Sequence, residues 1–207
     1  SGVPMIGCDC EVCRSDDPRD KRLRSSVHLA VDDRSINIDV GPDFRQQMLR
    51  AGIISMDAIL MTHGHKDHTG GLDDVRAFNF KQKRDMDVYL DRITEKMLRR
   101  QYEYIFEDNP YPGIPKINLH SISSEEPFQA CGIEVTPIEV FHHRPPVLGF
   151  RIKDFTYITD ANRIEESEIE KVRGSEVLVI NGLRKQQHIS HFTLDEALSL
   201  IADIGPA

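Results

Sequence analysis

The sequence predicts an α/β protein with a mixed sheet, or two sheets, covered by helices. Three observations carry this. The first regular segments read as a strand hairpin. Later strands alternate with helices in both halves of the chain. The 207 residues are 39% hydrophobic and 29% charged, enough to build a core within one domain spanning 1–207.

The elements follow in order. "SDDPRDKRLR" (15–24) is a charged, breaker-rich loop. "SSVHLAV" and "SINIDV" alternate apolar and polar residues and pair across "DDR". "PDFRQQMLRAG" has helical spacing through Phe44, Met48 and Leu49, with Gly52 as its stop. "MDAILMTH" reads as a buried strand, "LDDVRAFNFKQ" as a helix, "MDVYLD" as a strand and "RITEKMLRRQYEYIF" as one long amphipathic helix. Residues 107–116 hold Pro110, Pro112 and Pro115 and read as a loop, a candidate lid. "FQACGIEVTPIEVF", "LGFRIKD" and "FTYITDA" read as three strands, "EIEKVRG" as a short helix and "SEVLVING" as a buried strand. "TLDEALSLIADIG" reads as a helix capped by Thr193, with Asp195 and Glu196 in its first turn.

The net charge of −8 argues against a broad nucleic-acid-binding surface. A small anionic substrate is compatible with it if metal ions supply local positive charge. No apolar run has the length of a membrane span and nothing at the start reads as a secretory signal, so no membrane partner is expected. Three of the four cysteines, Cys8, Cys10 and Cys13, lie within six residues. That spacing suits three thiolates on one tetrahedral zinc, with a disulfide plus one spare thiol as the other reading. The sparse, clustered cysteines point to a reducing compartment, hence the cytoplasm.

The stretch richest in chemistry is "MTHGHKDHTGG" (61–71), directly after an apolar run. His63 and His65 are two apart, so in an extended segment both rings point the same way and can share one divalent ion. Asp67 and His68 lead into a helix expected to begin near Gly70 and can face a second ion, on the order of 3.5–4 Å from the first. Gly64, Gly70 and Gly71 permit the tight backbone this requires.

His63-x-His65-x-Asp67-His68 resembles the signature of the metallo-β-lactamase superfamily. The resemblance implies an αββα four-layer sandwich with a dinuclear site. It also implies three further ligands: a histidine after a later strand, a bridging aspartate and a histidine near the C-terminus. "TPIEVFHHRPP" supplies His142 and His143. Neighbours on a strand point to opposite sides, so one of them can face the metals; the family register selects His142, and His143 stays open. "YITDAN" supplies Asp160 as the bridging carboxylate, with turn chemistry as its other reading. Asp39 in "NIDVGP" matches a position that orients a ligand histidine, or it serves a strand-end turn. The third ligand and the family's usual first strand fall outside these 207 residues, so the expected sandwich lacks the first strand and the C-terminal strand/helix unit.

The run "GVPMIGCDCEVCRSDDPRDKRLRSS" resembles the start of the PhnP-like branch, the phosphoribosyl 1,2-cyclic phosphate phosphodiesterases. In that branch Cys8, Cys10 and Cys13, in a loop at about 7–24, would hold a structural zinc. "KQQHISHFTLDEAL" matches the same branch: His191 is expected to contact phosphate or donate a proton, and His188 to assist it. The resemblance implies a phosphodiesterase of small (cyclic) phosphodiesters that uses two divalent ions, Zn²⁺ or Mn²⁺, with Asp67 also orienting the nucleophile. It also implies a homodimer. Arg144 and Lys66 are the nearby cations available to a phosphate. Two alternatives stand beside it. One is hydrolysis of a thioester, lactone or amide at the same site; the other is a non-enzymatic metal-binding or redox partner.

Overall fold

The structure, a computed structural model, describes residues 2–108 and 111–205; Pro110 of the proline-rich loop lies outside them. The chain forms two compact units, Ser1–Ser121 and Ile122–Ala207.

The first unit begins with a cysteine-bearing loop that contains α1 (Glu11–Arg14) and a 3-10 turn at Pro18–Asp20. Strands β1 (Val27–Val31) and β2 (Arg34–Ile38) follow as the expected hairpin. Asp32 and Asp33, both at positive φ (47° and 61°), form its two-residue turn. Left-handed pairs of this kind match the twist of the strands, and Asp tolerates them better than most residues. Then come α2 (Phe44–Ala51), β3 (Ala58–Leu60), α3 (Lys66–Thr69), a 3-10 turn Leu72–Val75 running into α4 (Arg76–Gln82), and β4 (Met86–Leu90). Next are α5 (Arg92–Gln101), α6 (Glu103–Phe106) and β5 (Ile117–Ser121).

The five strands lie in the order β1-β2-β3-β4-β5; β1 is antiparallel to β2, and β2 to β5 are parallel. The C-terminal ends of β2, β3 and β4 therefore share one edge, the usual place for a site in a parallel sheet. Ile59, Met61, Val88 and Leu90 pack with Phe44, Met48, Phe78 and Leu98 in one buried cluster.

The second unit contains β6 (Phe128–Ala130), β7 (Ile133–Phe141), β8 (Pro146–Ile152), β9 (Phe155–Ile158), β10 (Arg163–Ile164), α7 (Glu166–Val172), β11 (Val177–Ile180) and α8 (Leu194–Ile204). Its sheet runs β10-β7-β8-β9-β11, with β6 paired to β7. β8 is antiparallel to both β7 and β9, so β7 and β9 also end at a common edge. Thr193 accepts from the Glu196 backbone N–H while the Glu196 carboxylate accepts from the Thr193 N–H, a reciprocal cap that starts α8 where the sequence places it.

Several expectations change. β3 is three residues long and α3 begins at Lys66, earlier than Gly70. The long helix breaks at Tyr102, which leaves helical geometry (φ −126°, ψ 43°) and buries its ring while its hydroxyl donates to the Thr69 carbonyl at 2.7 Å. Leu49 is exposed on α2. "FQACGIEVTPIEVF" is a hairpin, turned by Cys131 and Gly132 at positive φ. β5 and the short β10 were not expected. β11 is an edge strand whose Val177 and Val179 are exposed rather than buried.

Candidate metal centre

In the first unit the histidine loop is built on the edge where β2 and β3 end. Two backbone hydrogen bonds stitch it to the segment after β2: Val40 N–H donates to the His68 carbonyl and Gly71 N–H to the Val40 carbonyl, both at 2.8 Å. Gly41 and Gly71 are required by this close approach, since a Cβ on either would run into backbone oxygen of the other loop. Their role is space rather than unusual dihedrals.

Asp39 sits directly after β2 at φ 61° and is fully buried. Its Oδ1 accepts from the Thr62 backbone N–H at 2.8 Å. Its Oδ2 accepts from the Thr62 hydroxyl at 2.8 Å and from His68 Nδ1 at 2.7 Å. The Thr62 hydroxyl, its proton given to Asp39, accepts in turn from His63 Nδ1 at 3.0 Å. One carboxylate thus fixes the Nδ1–H tautomer of His68 directly and of His63 through Thr62, which makes Nε2 the lone-pair nitrogen of both rings.

His63 Nε2 lies 3.0 Å from His65 Nδ1, and the His63 and His68 ring centroids are 4.2 Å apart. Asp67 Oδ2 is 3.8 Å from His68 Nε2. Two nitrogens bound to one Zn²⁺ at ~2.0–2.1 Å with tetrahedral geometry stand roughly 3.3 Å apart. The His63–His65 pair fits such an ion; imidazole suits Zn²⁺, and the Asp67 carboxylate adds an oxygen donor of the kind that suits Mn²⁺.

In the second unit His142 follows β7 and Asp160 follows β9, so both stand at the edge those strands share. One donor atom from each of His142, Asp160 and His191 falls within 4.8 Å of the others. His142 Nδ1 lies 2.9 Å from the Ser190 carbonyl, which again leaves Nε2 with the lone pair. His143 is exposed at φ 63°, its backbone N–H donates to Asn162 Oδ1, and among the described residues it belongs to no such cluster. Asp160 is held at φ 53° by its neighbours. Ala161 N–H donates to Asn181 Oδ1 at 2.8 Å, and Asn181 Nδ2 donates back to the Ala161 carbonyl at 2.9 Å. A backbone conformation uncommon for non-glycine residues is paid for here by a two-pronged side-chain clamp.

His191 lies 4.8 Å from His142 and 5.0 Å from His188, centroid to centroid. Burial pushes its pKa down; Asp160 opposes this, and the neighbouring His142 and His188 add to it. The Ser190 backbone N–H donates to His188 Nδ1 at 3.3 Å, so the backbone of Ser190 serves His188 through its N–H and His142 through its carbonyl.

The sulfurs of Cys8, Cys10 and Cys13 also fall within 4.8 Å of one another, and none of the four cysteines is in a disulfide. The Met5 N–H donates to Cys13 Sγ at 3.5 Å. The Cys13 N–H and the Cys8 and Cys13 thiols hold the Cys10 thiol below its ordinary pKa. Three such sulfurs suit a Zn²⁺ at ~2.3 Å.

Three residues of these networks escaped sequence reasoning: Thr62, Asn162 and Asn181. Each acts through a partner 19 or more residues away or through an adjacent ring, and none carries a motif of its own.

The profile of the Beta-lactamase superfamily domain matches residues 34–207. A solved structure described as a new diphosphatase from the PhnP family is 38% identical and superposes with a TM-score of 0.91, covering 99% of this chain and 78% of that one. The two mixed sheets match the metallo-β-lactamase fold. An octanoyltransferase from Porphyromonas gingivalis is 43% identical over 99% of this chain, which spans 42% of that protein's length. Coenzyme PQQ synthesis protein B from Methylorubrum populi is 27% identical over 87% of this chain and 69% of its own.

Proposed function

This chain belongs to the β-lactamase superfamily, in its PhnP-like branch, and on that footing we propose that it hydrolyses the P–O bond of a small anionic phosphodiester with two divalent ions at its active site. Proteins of this fold are mostly hydrolases. The observation that carries the reading is the common anchoring of His63, His68 and His142, each with Nδ1 committed to a hydrogen bond and Nε2 left to donate to a metal. The 38% identity to a PhnP-family diphosphatase supports phosphorus over carbon as the electrophile.

In this reading His63, His65, Asp67, His68, His142 and Asp160 are the donors. Ions held there would neutralise charge on phosphate oxygens and lower the pKa of a water molecule. Asp67 orients the attacking water. His191 donates to the leaving oxygen; burial disfavours the protonated ring this needs, and the Asp160 carboxylate favours it. Asp39 and Thr62 keep the ligand tautomers fixed throughout. Cys8, Cys10 and Cys13 hold a structural zinc.

A second reading, hydrolysis of an acyl ester or thioester, draws on one observation, the 43% identity to a protein named octanoyltransferase. Most of that protein's length lies outside the match, which ranks this reading second. Rates on bis-p-nitrophenyl phosphate, an octanoyl thioester and nitrocefin, measured on metal-replete protein, separate them. Turnover of the phosphodiester alone is expected; turnover of the thioester alone would reverse the order.

A further inference from the structure

We propose that Gln101 is a positioning residue of the metal centre, a side chain that sets the geometry of the histidine loop before any ion binds. The inference rests on the metal-centre reading above. Gln101 lies in the last turn of α5 and is half-buried. Its Nε2 donates to the Gly64 carbonyl at 2.9 Å, and its Oε1 accepts from the Thr69 hydroxyl at 3.1 Å. Gly64 lies between His63 and His65, and Thr69 directly follows His68. One amide therefore spans the loop that carries all four donors of the first unit and pins it at both ends.

The neighbouring positions of the same helix act in the same direction. Met97, one turn earlier, packs so closely on Gly64 that a Cβ there would lie 2.8 Å from its sulfur. The Tyr102 hydroxyl donates to the Thr69 carbonyl at 2.7 Å, and the Thr69 hydroxyl is also 3.1 Å from the His65 carbonyl. Met97 opposes movement of Gly64 toward α5, and the Tyr102 bond opposes movement of Thr69 away from it.

The chemistry requires an amide. At one end a carbonyl takes a donor; at the other a hydroxyl shares its one proton between the Gln101 oxygen and the His65 carbonyl, each 3.1 Å away; Gln offers a donor and an acceptor on one planar group. A carboxylate offers acceptors only and would set an oxygen against the Gly64 carbonyl. A methionine keeps the volume and makes neither bond. Ligands held in place by such supports bind with less rearrangement, and changes to outer partners of metal ligands typically cost 10–100-fold in affinity.

The test is Co²⁺ titration of the metal-stripped protein, read by visible d–d absorption and by competition with a chromophoric chelator. Gln101→Glu and Gln101→Met are compared with wild type and with Tyr104→Phe. Tyr104→Phe removes the Tyr104–Asp73 hydrogen bond (2.7 Å) nearby without touching the loop. The expected result is about tenfold or greater loss of Co²⁺ affinity, with a changed absorption band, in both Gln101 variants. Tyr104→Phe keeps wild-type titration, even where all three lower the melting temperature of the stripped protein. If Gln101→Glu does not fold, Gln101→Met carries the test. Wild-type affinity and spectrum in Gln101→Met would overturn the proposal and leave the metal centre standing. No imidazole-bound Co²⁺ in the wild-type protein would overturn both.

Discussion

His63 and His68 stand on a carboxylate that is shut off from water, whereas His142 stands on the peptide carbonyl of a loop. Both arrangements fix a tautomer. They differ in stiffness and in charge. Asp39 collects three hydrogen bonds between two parallel strand ends, so its position follows from the sheet itself. Ser190 belongs to the segment between β11 and α8, tied down by Asn162, whose Nδ2 donates to the Ile189 carbonyl at 3.0 Å. An ionised acceptor also strengthens a hydrogen bond relative to a neutral carbonyl. His63 and His68 are therefore held by a charged, buried anchor and His142 by a neutral one.

The largest effect is expected from removing donors. His63→Ala and His142→Ala are expected to abolish activity, while His143→Ala retains the wild-type rate; equal loss in His142→Ala and His143→Ala would show that the second set does not rest on His142 alone. Next comes the buried anchor. Asp39→Asn keeps the shape and removes the charge, and metal affinity is expected to fall about 100-fold by equilibrium dialysis. Thr62→Val is milder. It deletes the relay to His63 while His68 keeps its direct bond to Asp39, so the loss is about tenfold. An equal loss in the two variants would mean that the direct His68–Asp39 bond adds nothing beyond the relay to His63.

The smallest effect is a pH background. Burial lowers the pKa of His28 on β1, with Asn37 partly opposing it. The unfolded chain binds that proton first as pH falls below about 6.5, so stability is complete above that pH and declines as pH falls toward the folded-state pKa. His28→Gln should flatten the decline in melting temperature of the stripped protein between pH 7.5 and 5.5. An unchanged slope would assign the decline to other groups.

Much of this was legible in the residues, and the failures have physical causes. The β1–β2 hairpin, the α8 cap and the histidine loop are local, so short windows contain all their determinants. "FQACGIEVTPIEVF" looked continuous because Cys131 gives no sign of a left-handed turn. "SEVLVING" looked buried because apolar residues on an edge strand read like those of an interior one. The hydrogen bond that sets His142 apart from His143 goes to a carbonyl 48 residues away, and Gln101 reads as one more polar residue on a surface helix until α5 is docked on the loop. Spacing exposes donors; it does not expose what holds them.

The most direct test of the account is the metal dependence of phosphodiester hydrolysis. The chain is stripped with a chelator, assayed on bis-p-nitrophenyl phosphate, then assayed again after Zn²⁺ or Mn²⁺ is returned, with bound metal counted by elemental analysis. The expected result is loss of turnover on stripping and recovery as the second active-site ion binds. Undiminished turnover by the stripped protein, or none by the fully reloaded one, would contradict it.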